Sequence, residues 1–149
     1  MKKITVVLLC AVLFGVLAVP AYAQGDSNCG TQYTEYLEDG SYFVIKTTQS
    51  NTITRSNTTS GTKSAMYYNN ANTLIFTVDV TGTFTYDGVS ATADSATVAV
   101  YIYDRSADLD NKGAYSSGAS AIGYANVKVD SIRMYKSVTL TCSKDGRLS

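Results

Sequence analysis

From Leu74 to Tyr86 the apolar side chains Leu74, Phe76, Val78, Val80, Phe84 and Tyr86 fall on even positions. Thr77, Asp79, Thr81, Thr83 and Thr85 stand between them. Successive side chains of a strand point to opposite faces, so this stretch predicts an antiparallel strand with one face on a core and one in water. Ile75 is the apolar residue on the wet side. Asp87-Gly88 suits a two-residue hairpin turn. That turn would set Tyr86 opposite Val89, Phe84 opposite Ala91 and Gly82 opposite Ala93. Beyond Ala93 the apolar set moves to Ala96, Val98, Val100 and Ile102. A change of phase within one strand predicts a bulge near Asp94-Ser95.

Shorter patterns flank this hairpin. Tyr42 to Thr48 reads as a strand, with Phe43 and Ile45 on one side and Tyr42 and Val44 on the other. Thr62 to Asn69 reads as a second, and Asn69 to Asn72 as a turn. In Ala121 to Val129 the small or apolar residues alternate. A tight turn at Asp130-Ser131 would place Gly123 opposite Val138 and Ala121 opposite Leu140. The last strand carries Ile132, Met134, Val138, Leu140 and Cys142, with Lys136 interrupting its stripe. Thr34 to Glu38 offers one helical turn stopped at Gly40. Gln49 to Gly61, Asp104 to Ser120 and Ser143 to Ser149 read as polar loops and a polar tail. About seven short strands without a convincing helix predict an all-β fold, an antiparallel two-sheet sandwich of immunoglobulin-like type. The alternative is a small closed β-barrel.

Residues 1–23 form an expected signal peptide. Lys2 and Lys3 precede the apolar run Ile4 to Val19, and Ala21-Tyr22-Ala23 is a small-x-small cleavage site. Cys10 lies inside the apolar run and is not placed as a lipid acceptor. Residues 24–40 then form a polar N-terminal segment, and residues 41–149 a single β domain. The expected location is secreted and extracellular, with no stable membrane insertion after cleavage. The mature chain holds ten basic and twelve acidic residues, without a basic stripe, which argues against nucleic-acid binding. Asn57-Thr58-Thr59 matches a glycosylation acceptor and is read as chance in a bacterial-type product.

Histidine is absent from the chain. Ser-His-Asp and Cys-His catalysis and histidine-ligated zinc are thereby excluded. The mature glutamates are Glu35 and Glu38 alone, and no motif marks a Ser–Lys dyad. The expectation is a protein that is not an enzyme and needs no cofactor. Asp104, Ser106, Asp108 and Asp110 resemble the start of a calcium loop. Leu109 stands at the position that needs glycine and Tyr115 at the one that needs glutamate, so the metal candidates Asp104, Asp108 and Asp110 are weak. Tyr101 and Tyr103 are candidates for an aromatic binding face, with Tyr115, Tyr124 and Tyr135 as further exposed aromatics. Cross-strand packing that protects a wet sheet face is the simpler reading of such tyrosines. Cys29 and Cys142 survive signal removal. They are either a disulfide, worth about 4–5 kcal/mol for a loop of about 100 residues, or two separate thiols.

The segments YLEDGSYFVI, TGTFTYDGVSAT, a block ending IYD and the terminal SVTLTCSKDGRLS resemble an uncharacterised group of small exported β proteins of Gram-positive bacteria. The likeness runs from about Tyr36 to Ser149 and is clearest from Val80 onward. It implies secretion by a bacterium and a compact β domain, and carries no activity or substrate. In that group a cysteine often stands where this chain has Ala93, and the resemblance implies that it pairs with the cysteine of the LTC motif, here Cys142. The functional expectation is a non-catalytic binding or surface-interaction module for a cell-surface glycan or protein. The alternative is a secreted antimicrobial or toxin-like effector, which the slightly negative charge and the lack of a cationic amphipathic segment disfavour.

Overall fold

The computed structural model describes residues 30–50 and 57–149, and every regular element in them is a β-strand. Strands β1 (Gln32–Tyr36), β2 (Tyr42–Ser50), β3 (Thr58–Tyr68), β4 (Leu74–Tyr86) and β5 (Ala91–Ile102) form one antiparallel sheet in that order. Strands β6 (Ala107–Ser117), β7 (Ser120–Val129) and β8 (Ile132–Thr141) form a second. The two sheets pack face to face as an open sandwich, not as a closed barrel. Each sheet is a meander in chain order, with a single crossover from β5 to β6. The immunoglobulin-like expectation is corrected at this level, because that fold interleaves its strands by Greek-key connections.

The even-numbered stripe of β4 is the centre of the core. Phe76, Val78, Val80 and Phe84 are fully buried, while Thr81, Thr83 and Thr85 stay in water. Phe43, Ile45, Ala65 and Tyr67 extend that inner face across β2 and β3. Ala121, Ala125 and Val127 of β7 and Val138 and Leu140 of β8 cover it from the other sheet. Small residues on β7 set the sheet spacing. A Cβ on Gly123 would lie 2.4 Å from Val80 Cγ2, and one on Gly82 would lie 2.7 Å from Ala121 Cβ. Only glycine lets the two backbones approach so closely.

The β7–β8 hairpin follows the expected register, with Gly123 opposite Val138 and Ala121 opposite Leu140 across the turn at Asp130 and Ser131. The β4–β5 hairpin differs by two residues. Tyr86 pairs with Ala91 and Phe84 with Ala93, because the connection is four residues long. The Asp87 carboxylate accepts from the N–H groups of Val89 and Ser90 at 2.8 and 2.7 Å, and this side-chain cap favours the wider turn. The expected bulge is present: Thr83 pairs with Ser95 and Phe84 with Ala93, leaving Asp94 unpaired.

Four stretches expected as helix, loop or tail are ordered differently. Residues of the supposed helical turn Thr34 to Glu38 belong largely to β1, which pairs along β2 from Gln32–Lys46 to Tyr36–Tyr42. Pairing with a neighbour outweighs the weak helical preference of five residues. The loop Gln49 to Gly61 is narrower, because β2 and β3 pair out to Ser50 and Ser60. The polar stretch Asp104 to Ser120 contains β6, a mostly exposed edge strand. Such a strand needs no apolar alternation to be held by its ladder. The tail Ser143 to Ser149 folds back on β8. Thr141 and Ser149 exchange N–H···O bonds of 2.9 and 3.0 Å, and Leu148 is buried beside Gly61. The signal segment and Cys29 lie outside the described residues.

Candidate functional site at the turn end of the sandwich

Four turns converge at one end of the molecule. The β1–β2 turn brings Asp39 and Ser41, the β3–β4 turn Asn69 and Asn70, the β5–β6 connection Ser106, and the β7–β8 turn Asp130. Between them lies a pocket of about 260 Å³, floored by the apolar groups of Tyr67, Ile75, Val129 and Met134. The meander dictates this arrangement, since antiparallel hairpins put alternate turns at the same end. Binding groups on turns held by a rigid scaffold are a recurrent solution to recognition.

The rim is built by its own hydrogen bonds. The Ser41 N–H and hydroxyl donate to Asp39 Oδ1 at 3.0 and 2.5 Å, which holds the Asp39 carboxyl below its ordinary range. Asp104 is likewise lowered, chiefly by the Ser106 N–H at 2.8 Å. Asn69 Oδ1 accepts from the N–H groups of Ala71 and Thr73, fixing the third turn. Asp130 sits at φ 54° and donates its N–H to Ser106 O at 2.7 Å, tying the second sheet to the β5–β6 connection. Among the described residues no cation lines the pocket. Its chemistry is that of hydroxyl, amide and carboxylate groups over an apolar floor.

Tyr101 and Tyr103 are 50% and 59% exposed. Tyr101 lies on the outer face of the five-stranded sheet, opposite Thr77, and Tyr103 follows the end of β5. The Tyr103 N–H donates to the carbonyl of Ile75, a pocket residue, at 2.8 Å. Neither ring stacks on another aromatic among the described residues. A second aromatic group on the same outer face escaped the sequence reading. Tyr36, Tyr42 and Tyr68 are cross-strand neighbours, the last two stacked at 5.1 Å and 9°. Tyr42 and Tyr68 use their ring faces on each other and pack the sheet surface, while Tyr36, tilted at 46° to Tyr42, is 77% exposed. Tyr124 and Tyr135 stack in the same way, at 6.2 Å, on the outer face of the second sheet. Tyr115 is exposed on β6.

The calcium candidates are not brought together as a loop. Asp104 is in the connection before β6, Asp108 on β6 opposite Lys128, and Asp110 at a bulge of β6, paired with Arg133 at 3.2 Å. Among the described residues no three His, Cys, Asp or Glu side chains are grouped to hold a metal ion. Cys142 is buried, its thiol 3.3 Å from the Ser143 carbonyl and pushed up in pKa by burial.

A second, smaller pocket of about 150 Å³ opens where β1 to β3 face β8. There Lys136 makes an ion pair with Glu35, and its ammonium lies 4.3 Å from the centre of the Phe43 ring. This explains how Lys136 interrupts the apolar stripe of β8 without a buried, unpaired charge. Tyr33 is raised in pKa by burial and by the charge and hydrogen bonding of Glu35.

No family model matches the sequence, and no curated protein matches it. Among solved structures, a hypothetical protein from Listeria monocytogenes, lmo2686, is similar at a TM-score of 0.45 and 16% identity. The match covers 82% of this chain and 91% of that one.

Proposed function

We propose that the protein is an exported, non-catalytic binding module and that the turn-end pocket takes a neutral glycan of a cell surface. The observation that carries this reading is the convergence of four turns on one pocket with a hydroxyl, amide and carboxylate rim and an apolar floor. Sugars present the matching surface, with hydroxyls around their edge and C–H groups on their faces. Among the described residues no lining cation offers a partner to an anionic ligand at this pocket. Tyr101 and Tyr103 supply exposed rings near the same end for stacking on further sugar units. The lack of histidine anywhere in the chain supports binding without catalysis.

The test is a titration of the mature protein with soluble neutral oligosaccharides, followed by amide chemical shifts. Shifts should centre on Asn69, Asn70, Ser106 and Asp130, and Asn70→Ala or Tyr103→Ala should weaken binding with the fold intact. Binding unaffected by both variants would remove the pocket from consideration. A product retained in the membrane with Met1 intact, in place of a supernatant protein that begins at Gln24, would remove the export step.

A further inference from the structure

We propose that the smaller cleft between β1–β3 and β8 is a second binding site, which takes a carboxylate group on the ammonium of Lys63. Lys63 arises from β3 between Thr47 of β2 and Val80 of β4, both buried on the inner face of the sheet. Its side chain therefore leaves from inside the sandwich and reaches the cleft at its open edge. The neighbouring charges are already matched to one another. Glu35 is held by the Lys136 ammonium, and the Tyr33 phenol interacts with the same carboxylate. Lys63 alone has no hydrogen bond or ion pair among the described residues. It is partly desolvated, which lowers its pKa, while the Glu35 charge acts in the opposite sense.

A half-buried ammonium without a hydrogen-bond acceptor has lost water in exchange only for the more distant attraction of Glu35. An entering anion restores that loss through a charge-assisted bond. The three charged groups Lys63, Lys136 and Glu35 sum to one positive charge, so a singly charged ligand neutralises the cleft. A dianion would instead add repulsion against Glu35. The cleft's small volume admits the carboxylate end of a larger molecule, with Ser137 and Thr139 at its border. The chemistry is shared by the C-terminus of a peptide and by a uronic acid. This site is separate from the turn-end pocket and stands or falls without it.

The experiment titrates the protein with acetate, N-acetylglycine and glucuronate at constant ionic strength, with chloride as the balancing anion, and follows amide shifts. A saturable response at Tyr33, Lys63 and Thr139 is expected with the carboxylates. Lys63→Gln should weaken it about tenfold or more, and Lys46→Gln, on the exposed outer face, should leave it unchanged. Glu35→Gln should tighten it by freeing Lys136, which keeps the idea testable even where the Lys63 variant is unstable. Tighter binding of N-acetylglycine identifies a peptide end, and tighter binding of glucuronate an acidic sugar. A response matched by chloride, or unchanged in Lys63→Gln and Glu35→Gln alike, overturns the site.

Discussion

At the scale of single residues, position within the alternation decides the energetic weight of a side chain. Phe84 and Thr83 are neighbours in β4, yet Phe84 is fully buried against the second sheet and Thr83 stands in water. Phe84→Ala is expected to lower stability by about 3–5 kcal/mol through a cavity that the opposing β7 backbone cannot fill. Thr83→Ala should stay within about 0.5 kcal/mol. Chemical denaturation of the two variants checks this, and similar midpoints would contradict the assigned faces. The burial of this stripe was readable from sequence because period-two alternation is a local property. Lys63 was not readable in that way. Its significance lies in what it lacks, and an absent partner is visible only once β1, β3 and β8 are placed together.

At the scale of elements, legibility followed whether an element has a buried face. The β7–β8 hairpin announced its register through small and large residues set opposite one another. The edge strand β6 carried no such signal, and β1 only a weak one, because an edge is specified by its ladder rather than by an apolar stripe. The terminal hook was hidden for a related reason. Its attachment depends on Leu148 meeting Gly61 and on the Gln49 side chain, which donates to Gly146 O at 2.8 Å and accepts from the Leu148 N–H. All of these contacts are about a hundred residues apart in sequence. The hook also pairs with Cys142, whose backbone forms an isolated antiparallel β-bridge with Leu148 and whose thiol lies 3.3 Å from the Ser143 carbonyl. Removing Ser143 to Ser149 is therefore expected to speed alkylation of Cys142 about tenfold or more under native conditions. Leu148→Ala should give a smaller increase. Equal labelling rates in the intact and shortened chains would mean that the strands alone bury the thiol.

At the scale of the whole molecule, the turns and the two-sheet arrangement govern how stability responds to conditions. Asp39, Asp87 and Asp104 are each lowered in pKa by hydrogen bonds from serine or backbone donors within their turns, Asp87 chiefly by the Ser90 N–H. A carboxylate with a depressed folded pKa contributes stability that is present above its unfolded value and lost as pH falls through the folded one. Denaturation midpoints should hold near neutrality and fall below about pH 4, and Asp87→Asn should flatten that acid limb. A limb unchanged in the variant would assign acid sensitivity elsewhere. The sheets themselves meet through the β6–β7 turn. The Ala93 N–H donates to the Gly118 carbonyl at 2.8 Å, and the Cys142 N–H donates to the next carbonyl, that of Ala119, at 2.9 Å. Ala93 on β5 and Cys142 after β8 thus flank the same turn from opposite sheets, and both are buried. Ala93→Cys is expected to pair with Cys142 on oxidation, cross-linking the two layers and closing a loop of about 50 residues. In the chain-entropy description such a bridge stabilises by about 4 kcal/mol, less any strain in the native geometry. Non-reducing mass analysis of the variant should show a peptide pair joined through positions 93 and 142, and its denaturation midpoint should drop when reductant is added. Two freely alkylating thiols in the folded variant would mean that the turn holds these positions too far apart to bond.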